Sequence, residues 1–161
     1  MGSIVIRAAV TADAAALSPL LSALGYPADE RVIVDRLRQL QASESVSEST
    51  SGSSESGLPG AVFVADRDGE LLGFITLHRT PVLHRPTAVG RITGLAVIAK
   101  ARGLGVGRLL VEAAERRFVE EGLARLEVTS SALHGPAHAF YRHLGYEDQG
   151  VRFAKVLGLR P

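Results

Sequence analysis

The stretch Arg102-Gly103-Leu104-Gly105-Val106-Gly107-Arg108 is the part of the chain best suited to hold an anion. Glycines let the backbone come close to a charged oxygen. The helix expected to start at about Gly105 begins with unpaired N–H donors, and its dipole places positive potential at the same end. Two guanidinium groups, Arg102 and Arg108, flank the loop. A phosphate is therefore the expected ligand, and spacing separates the loops that bind one. A nucleoside-triphosphate loop needs Gly, four residues, Gly-Lys and then Ser or Thr, and no lysine follows a glycine here. The dinucleotide pattern G-x-G-x-x-G fails at Arg108 when started from Gly103 and at Leu110 when started from Gly105. Glu127 lies about 20 residues further on, where a ribose-binding acid would sit, and is read as a coincidence.

The elements that must position this loop follow from periodicity. Ile4-Val5-Ile6 reads as a strand, and Thr11 and Asp13 precede an Ala/Leu-rich helix that stops at Gly25-Tyr26-Pro27. A second helix starts at Asp29, with Val32, Leu37 and Leu40 recurring at roughly helical spacing. Ala61–Ala65 and Leu71–Leu77 flank Asp66-Arg67-Asp68-Gly69-Glu70, an antiparallel hairpin. Val89–Ile98 is a further strand. Gly105–Glu121 is an amphipathic helix with Val106, Leu109, Leu110, Ala113, Ala114 and Phe118 on one face and Gly122 as its stop. Leu123–Thr129, Pro136–Leu144 and Val151–Leu157 complete the pattern as strand, helix and strand. The order is β-α-α-β-β-β-α-β-α-β, an α/β fold.

The chain has 161 residues, the size of one domain, and residues 1–161 are read as a single one. Within it, 43–57 holds eight Ser and three Glu with Val46 as its one apolar residue, so it is expected to be a mobile loop. Lys plus Arg number 18 against 17 Asp plus Glu, which gives no field to attract nucleic acid or an anionic membrane. Without cysteine there is no disulfide, thiolate metal site or cysteine nucleophile. No run approaches the roughly 20 apolar residues of a membrane span, and a cytoplasmic protein is expected. His134, His138 and His143 lack a completing carboxylate, so no metal is expected.

The pattern that Arg102, Gly105 and Gly107 do satisfy is Arg/Gln-x-x-Gly-x-Gly/Ala, and with it the chain resembles the GNAT superfamily of N-acetyltransferases. Ile92–Val97 is similar to the fourth strand of that family, and Ala101–Leu110 to its pyrophosphate signature. Ala137-His138-Ala139-Phe140-Tyr141-Arg142-His143-Leu144-Gly145-Tyr146 is similar to its A-x-x-F-Y-x-x-x-G-[FY] signature. The resemblance implies a GNAT-like mixed, mostly antiparallel central sheet flanked by helices and splayed between the strands ending at Val97 and starting at Arg125. It also implies acetyl-CoA as co-substrate. Residues Leu95, Ala96 and Val97 would hold the pantetheine arm, with the Val97 amide facing the thioester oxygen. The backbone amides from Leu104 to Arg108, within the Arg102, Gly103, Leu104, Gly105, Val106, Gly107, Arg108 loop, would hold the pyrophosphate.

On the same resemblance, Tyr141 would protonate the coenzyme sulfur, its phenol lying near a thiol in acidity. His134 stands where many members carry an asparagine that assists the coenzyme. Glu127, His78 and His84 are candidates for the base, although Glu127 reads first as a strand residue paired with Arg125 or another arginine. Wording at Ala137–Tyr141 and Val151–Lys155 is similar to aminoalkylphosphonate N-acetyltransferases, which favours a small-molecule amine acceptor. Tyr26, His84 and Arg91 are assigned to the acceptor pocket by position. The function implied is N-acetylation of a primary amine by direct attack in a ternary complex, and homodimers are frequent in the family. The rival readings are a non-catalytic acyl-CoA-binding or sensing module and a protein N-acetyltransferase.

Overall fold

The computed structural model describes residues 2–47, 60–130, 135–150 and Ala154, which fall into two compact units, Met1–Val128 and Thr129–Pro161. The first is built on a five-stranded sheet whose strands lie side by side in chain order: β1 (Val5–Ala8), β2 (Gly60–Arg67), β3 (Glu70–Thr80), β4 (Val89–Val97) and β5 (Leu126–Val128). The first three pairings are antiparallel and β4–β5 is parallel. The sheet is therefore mixed and mostly antiparallel, as the resemblance implied.

Local chemistry explains both kinds of pairing. Asp68 at φ 54° and Gly69 at φ 86° make the left-handed two-residue turn whose twist matches a hairpin, and the Gly69 N–H donates to Asp66 Oδ1 at 2.8 Å. The parallel pair needs a crossover, and α3 (Val106–Glu120) supplies it. Its buried side chains Val106, Leu110, Val111, Ala114 and Phe118 include Val111, which the expected apolar face lacked. On the other face of the sheet, α1 (Ala14–Ala23) and α2 (Glu30–Ser47) close a core of Leu17, Leu20, Ile33, Leu37, Val64, Phe74 and Ala96.

Two details of α2 differ from the sequence reading. The buried pair is Ile33 and Leu37, four residues apart, whereas Val32 is 49% exposed. The helical backbone also runs through Ser47, into the stretch read as a loop from residue 43. Once a helix is nucleated, each added residue costs little, and Glu44 is a good helix former. Residues 48–59 lie outside the described residues, as does the closing strand expected at 151–157.

The helix stops are uniform. At Gly25, Gly122 and Gly145 the backbone is left-handed, with φ 86°, 77° and 88°. In each case the next residue donates its N–H five positions back: Tyr26 to Leu21, Leu123 to Phe118 and Tyr146 to Tyr141. These are Schellman closures, which need a residue free of the Cβ penalty at the turning position.

One ion cluster fastens the start of the chain to the hairpin. Arg7 donates from Nη1 and Nη2 to the two oxygens of Asp13, at 2.8 and 2.9 Å, and from Nε to Asp66 at 2.9 Å. The Val10 N–H also donates to Asp13, at 2.8 Å. Asp13 is buried, and the Arg7 bond holds its carboxyl below the usual value against the opposing effect of burial. Asp13→Asn should lower stability by about 1–3 kcal/mol. A carboxyl whose folded pKa is depressed stabilises the fold above its unfolded value and ceases to do so as pH falls through the folded one. Urea titrations from pH 6 down to pH 2 should accordingly show the wild type losing its advantage over the variant below about pH 4.

Candidate functional site

The site begins where β4 changes its facing. Its register with β3 slips by one residue between the pairs Leu77↔Ile92 and Thr76↔Gly94, which leaves Thr93 as the extra residue. The Gly90 N–H donates to the Arg125 carbonyl at 2.9 Å, toward β5, whereas the Ile98 N–H donates to the Leu72 carbonyl at 2.9 Å, toward β3. In a regular strand these two even-numbered residues would face the same way, so the slip reverses the alternation. Beyond it, Leu95 and Val97 turn their N–H and C=O groups away from β3. The β5 register ends at Ile92↔Val128, so no β5 pairing reaches that outward edge among the described residues.

The phosphate-type loop follows directly. A 3₁₀ turn at Ala99–Ala101 leads through Gly103 (φ 78°) and Gly105 (φ 80°) into α3. The first helical bond runs from the Leu109 N–H to the Gly105 carbonyl at 3.1 Å, and no side chain caps the helix. The amides of Gly105, Val106, Gly107 and Arg108 therefore have no partner within the helix. Leu104, expected to contribute its amide as well, donates instead to the Ala101 carbonyl at 3.4 Å. Ala101 and Val106, each about 1% exposed, pin the two ends of the loop to the core. The flanking arginines do not converge on it: Arg102 Nε donates to the Val97 carbonyl at 3.3 Å, and Arg108 Nε to Glu112 at 2.6 Å.

Glu127 is engaged on both oxygens, by Arg125 Nε at 2.7 Å and Arg91 Nη2 at 3.4 Å. Chiefly through the Arg125 bond, and against burial, its carboxyl is held below the usual value. It is thus a fixed anion and a poor proton acceptor at neutral pH. His78, on β3 in register with Arg91, has its pKa lowered by burial. Tyr26 is 72% exposed just past α1, and His84 is exposed in the connection before β4. Among the described residues no hydrogen bond or ion pair joins Tyr26, His84 and Arg91.

The second unit carries Tyr141 on α4 (Gly135–His143). Its ring packs edge-on against Phe140 at 5.1 Å and Tyr146 at 5.5 Å between centroids. The Schellman closure at Gly145 places Tyr146 there. Tyr141 is buried, and burial pushes its phenol up to about 12. His134 lies outside the described residues.

A mixed sheet whose fourth strand turns an unpaired edge outward and runs on into a glycine loop at a helix start defines an acetyltransferase fold. Residues 32–146 match the Acetyltransferase (GNAT) family, and the chain belongs to that family. It is 34% identical, over 58% of its own length and 61% of the relative's, to an aminoalkylphosphonate N-acetyltransferase of Salmonella typhimurium. With a mycothiol acetyltransferase of Thermomonospora curvata it shares 33% identity over 58% of its length and 30% of the relative's. The chain thus spans about three fifths of the first relative and under a third of the second. Among solved structures, the aminoglycoside N-acetyltransferase AAC(6')-Iy in complex with CoA matches with a TM-score of 0.77 over 97% of this chain and 96% of that one. The 17% identity of that pair makes it a likeness of fold. Among the described residues no helix is long and apolar enough to cross a membrane.

The environment of the Tyr141 phenol can be checked directly. In a spectrophotometric titration, one tyrosine should ionise near pH 12, well after an ordinary phenol near 10, and Tyr141→Phe should lack that late component. A titration curve identical in the two proteins would show that Tyr141 is not desolvated.

Proposed function

We propose that the protein transfers an acetyl group from acetyl-CoA to the primary amine of a small molecule, by direct attack in a ternary complex. The observation that carries this reading is the pair of backbone donor groups without partners in sheet or helix, at the outward edge of Leu95 and Val97 and in the first turn of α3, at the two ends of one short connection. A pantetheine arm contains two amides and can pair with a strand edge, and a pyrophosphate matches the anion-binding end of a helix. The residues present therefore fit the coenzyme. When bound, it supplies the thioester acetyl group.

Leu95 and Val97 face alike, so one of their amides serves the arm and the other the thioester oxygen, where a fixed N–H stabilises developing negative charge. The amides of Gly105, Val106, Gly107 and Arg108 bind the pyrophosphate, supported by the helix dipole. Tyr141 holds a proton for the leaving sulfur. The absence of cysteine favours direct attack over an acyl-cysteine intermediate. The small-molecule acceptor rests on the likeness to the aminoalkylphosphonate and mycothiol enzymes.

Two variants test the assignment. Gly105→Glu places a carboxylate at the expected pyrophosphate and should abolish CoA binding in calorimetry. Open space surrounds a Cβ there, so Gly105→Ala, which carries the same left-handed strain without the charge, is the control and should bind more tightly than the glutamate variant. Unchanged affinity in Gly105→Glu would overturn the loop assignment. Tyr141→Phe should lower turnover about 100-fold while largely keeping CoA affinity. A wild-type rate would mean that the phenol neither protonates nor stabilises the leaving sulfur.

A further inference from the structure

Arg102 stands where the two parts of the coenzyme site meet. Its backbone leaves the 3₁₀ turn at φ −66° and ψ 145°, its N–H donates to the Ala99 carbonyl at 3.3 Å, and Ala101 before it is buried. The main chain is thus held, and the side chain is the part that can change place. It turns back toward β4, where Nε donates to the Val97 carbonyl at 3.3 Å. That carbonyl belongs to the outward edge. The Ile98 N–H donates to Leu72 on β3, and the groups of Val97, one residue back, face the other way.

An arm that pairs with this edge as a strand does would lie about 4.8 Å from β4, in the space into which the Val97 carbonyl points. A carbonyl can accept two hydrogen bonds, but Arg102 reaches it with Nε, the innermost nitrogen of the fork. Cδ and Cζ, each one bond from Nε, are brought up with it, so the body of the guanidinium takes room that the arm needs.

This hold is weak. The bond lies at the surface, and its acceptor is neutral. The other cations around the loop are matched, Lys100 by Glu70 and Arg108 by Glu112 at 2.6 Å. Among the described residues Arg102 has no carboxylate partner. A guanidinium gains more from phosphate oxygens than from one carbonyl, because both partners are then charged and two N–H groups are used at once. The unpaired amides of α3 begin three residues after Arg102, so an anion seated on them competes with the carbonyl for the same guanidinium.

We propose that Arg102 is a latch on the outward edge of β4: it covers the Val97 carbonyl and yields when an anion occupies the glycine loop, so that the protein selects an acyl carrier with a phosphate end over the same arm without one. This rests on the acetyl-transfer reading above. Arg102 is then a specificity residue for the donor, acting through the strand edge and not on the reacting atoms.

The test is a set of amide-resolved NMR titrations of the full chain with pantetheine, ADP and CoA, in the wild type and in Arg102→Ala. The amides of Leu95 and Val97 report the arm, and those of Gly105, Val106, Gly107 and Arg108 report the phosphates. In the wild type, ADP should tighten pantetheine about 3- to 10-fold, the worth of one hydrogen bond. Arg102→Ala should bind pantetheine alone more tightly by a similar factor, bind ADP more weakly, and show no tightening by ADP. A residue that merely supported the loop would weaken both fragments when lost. Pantetheine affinity that is unchanged or weaker in Arg102→Ala, or indifferent to ADP in the wild type, would overturn the latch. Pantetheine that shifts no amide in either protein would do the same, since the uncovered edge should accept it. CoA separates these results from failure of the underlying reading: if it moves both sets of amides, acetyl-CoA binding stands without the latch, and if it leaves Leu95 and Val97 unmoved, the reading falls and the latch with it.

Discussion

The extra residue at Thr93 is the constraint from which the site follows. A strand has one alternation of N–H and C=O, and β4 must serve β3 along its whole length while leaving β5 halfway. Without the slip, the groups beyond Thr93 would keep the facing that Gly90 sets. Leu95 and Val97 would then bond to β3, and Ala96 would face outward. With it, the backbone of Leu95 and Val97 is exposed to the widening gap. The slip also exchanges the faces: Gly90 points to Phe118 of α3, whereas a Cβ on Gly94 would meet Thr76 and Phe74 on the opposite side. Close packing holds the arrangement. A Cβ on Gly73 would lie 2.5 Å from the Ala96 carbonyl, so β3 admits no larger residue beneath the section of β4 that carries the outward groups.

Two arginine–carboxylate groups in the first unit show how burial decides the role of an ion pair. Asp13 is buried with both oxygens bonded to Arg7 and a backbone N–H in addition, and that cluster joins β1, the turn before α1 and the hairpin. Losing one partner leaves a desolvated charge, which is costly, so this pair serves the fold. Arg91, Arg125 and Glu127 remain in contact with water, where an ion pair contributes little to stability and exchanges partners easily. The arrangement argues against Glu127 as a general base, because a carboxylate whose anion is favoured by two cations gives up little by staying ionised.

Much of this was legible in the sequence where one residue type has one physical use. Gly25, Gly122 and Gly145 mark helix stops because few other residues adopt positive φ, and Asp68-Gly69 marks the hairpin for the same reason. The glycine loop ahead of a helix start was readable, and the pairing of Glu127 with Arg125 was expected. The slip at Thr93 was not readable, since Ile92-Thr93-Gly94 is ordinary strand composition and the extra residue is defined by its pairing with β3. The backbone roles of Leu95 and Val97 therefore entered only as an implication of the family resemblance. The end of α2 was misplaced because composition measures how little a segment can bury, and a nucleated helix needs no burial to continue for a turn. Arg91 was chosen by position, and its partnership with Glu127 required the β4–β5 register.

Burial of Tyr141 alters the chemistry assigned to it on the acetyl-transfer reading. From sequence, the phenol was matched to a thiol by similar acidity. Raised to about 12, it is less acidic than an ordinary thiol, near 8.5, by roughly three to four pKa units, so complete transfer of its proton to a thiolate is uphill by about 5 kcal/mol. A phenol of that kind is more effective as a fixed hydrogen-bond donor: it is fully protonated at neutral pH, and desolvation strengthens its bond to a sulfur that gains charge as the thioester breaks. On this account the amine loses one proton to solvent or a base before it attacks, the second is released as the C–N bond forms and the C–S bond breaks and ends on sulfur, and Tyr141 would stabilise the sulfur until it arrives.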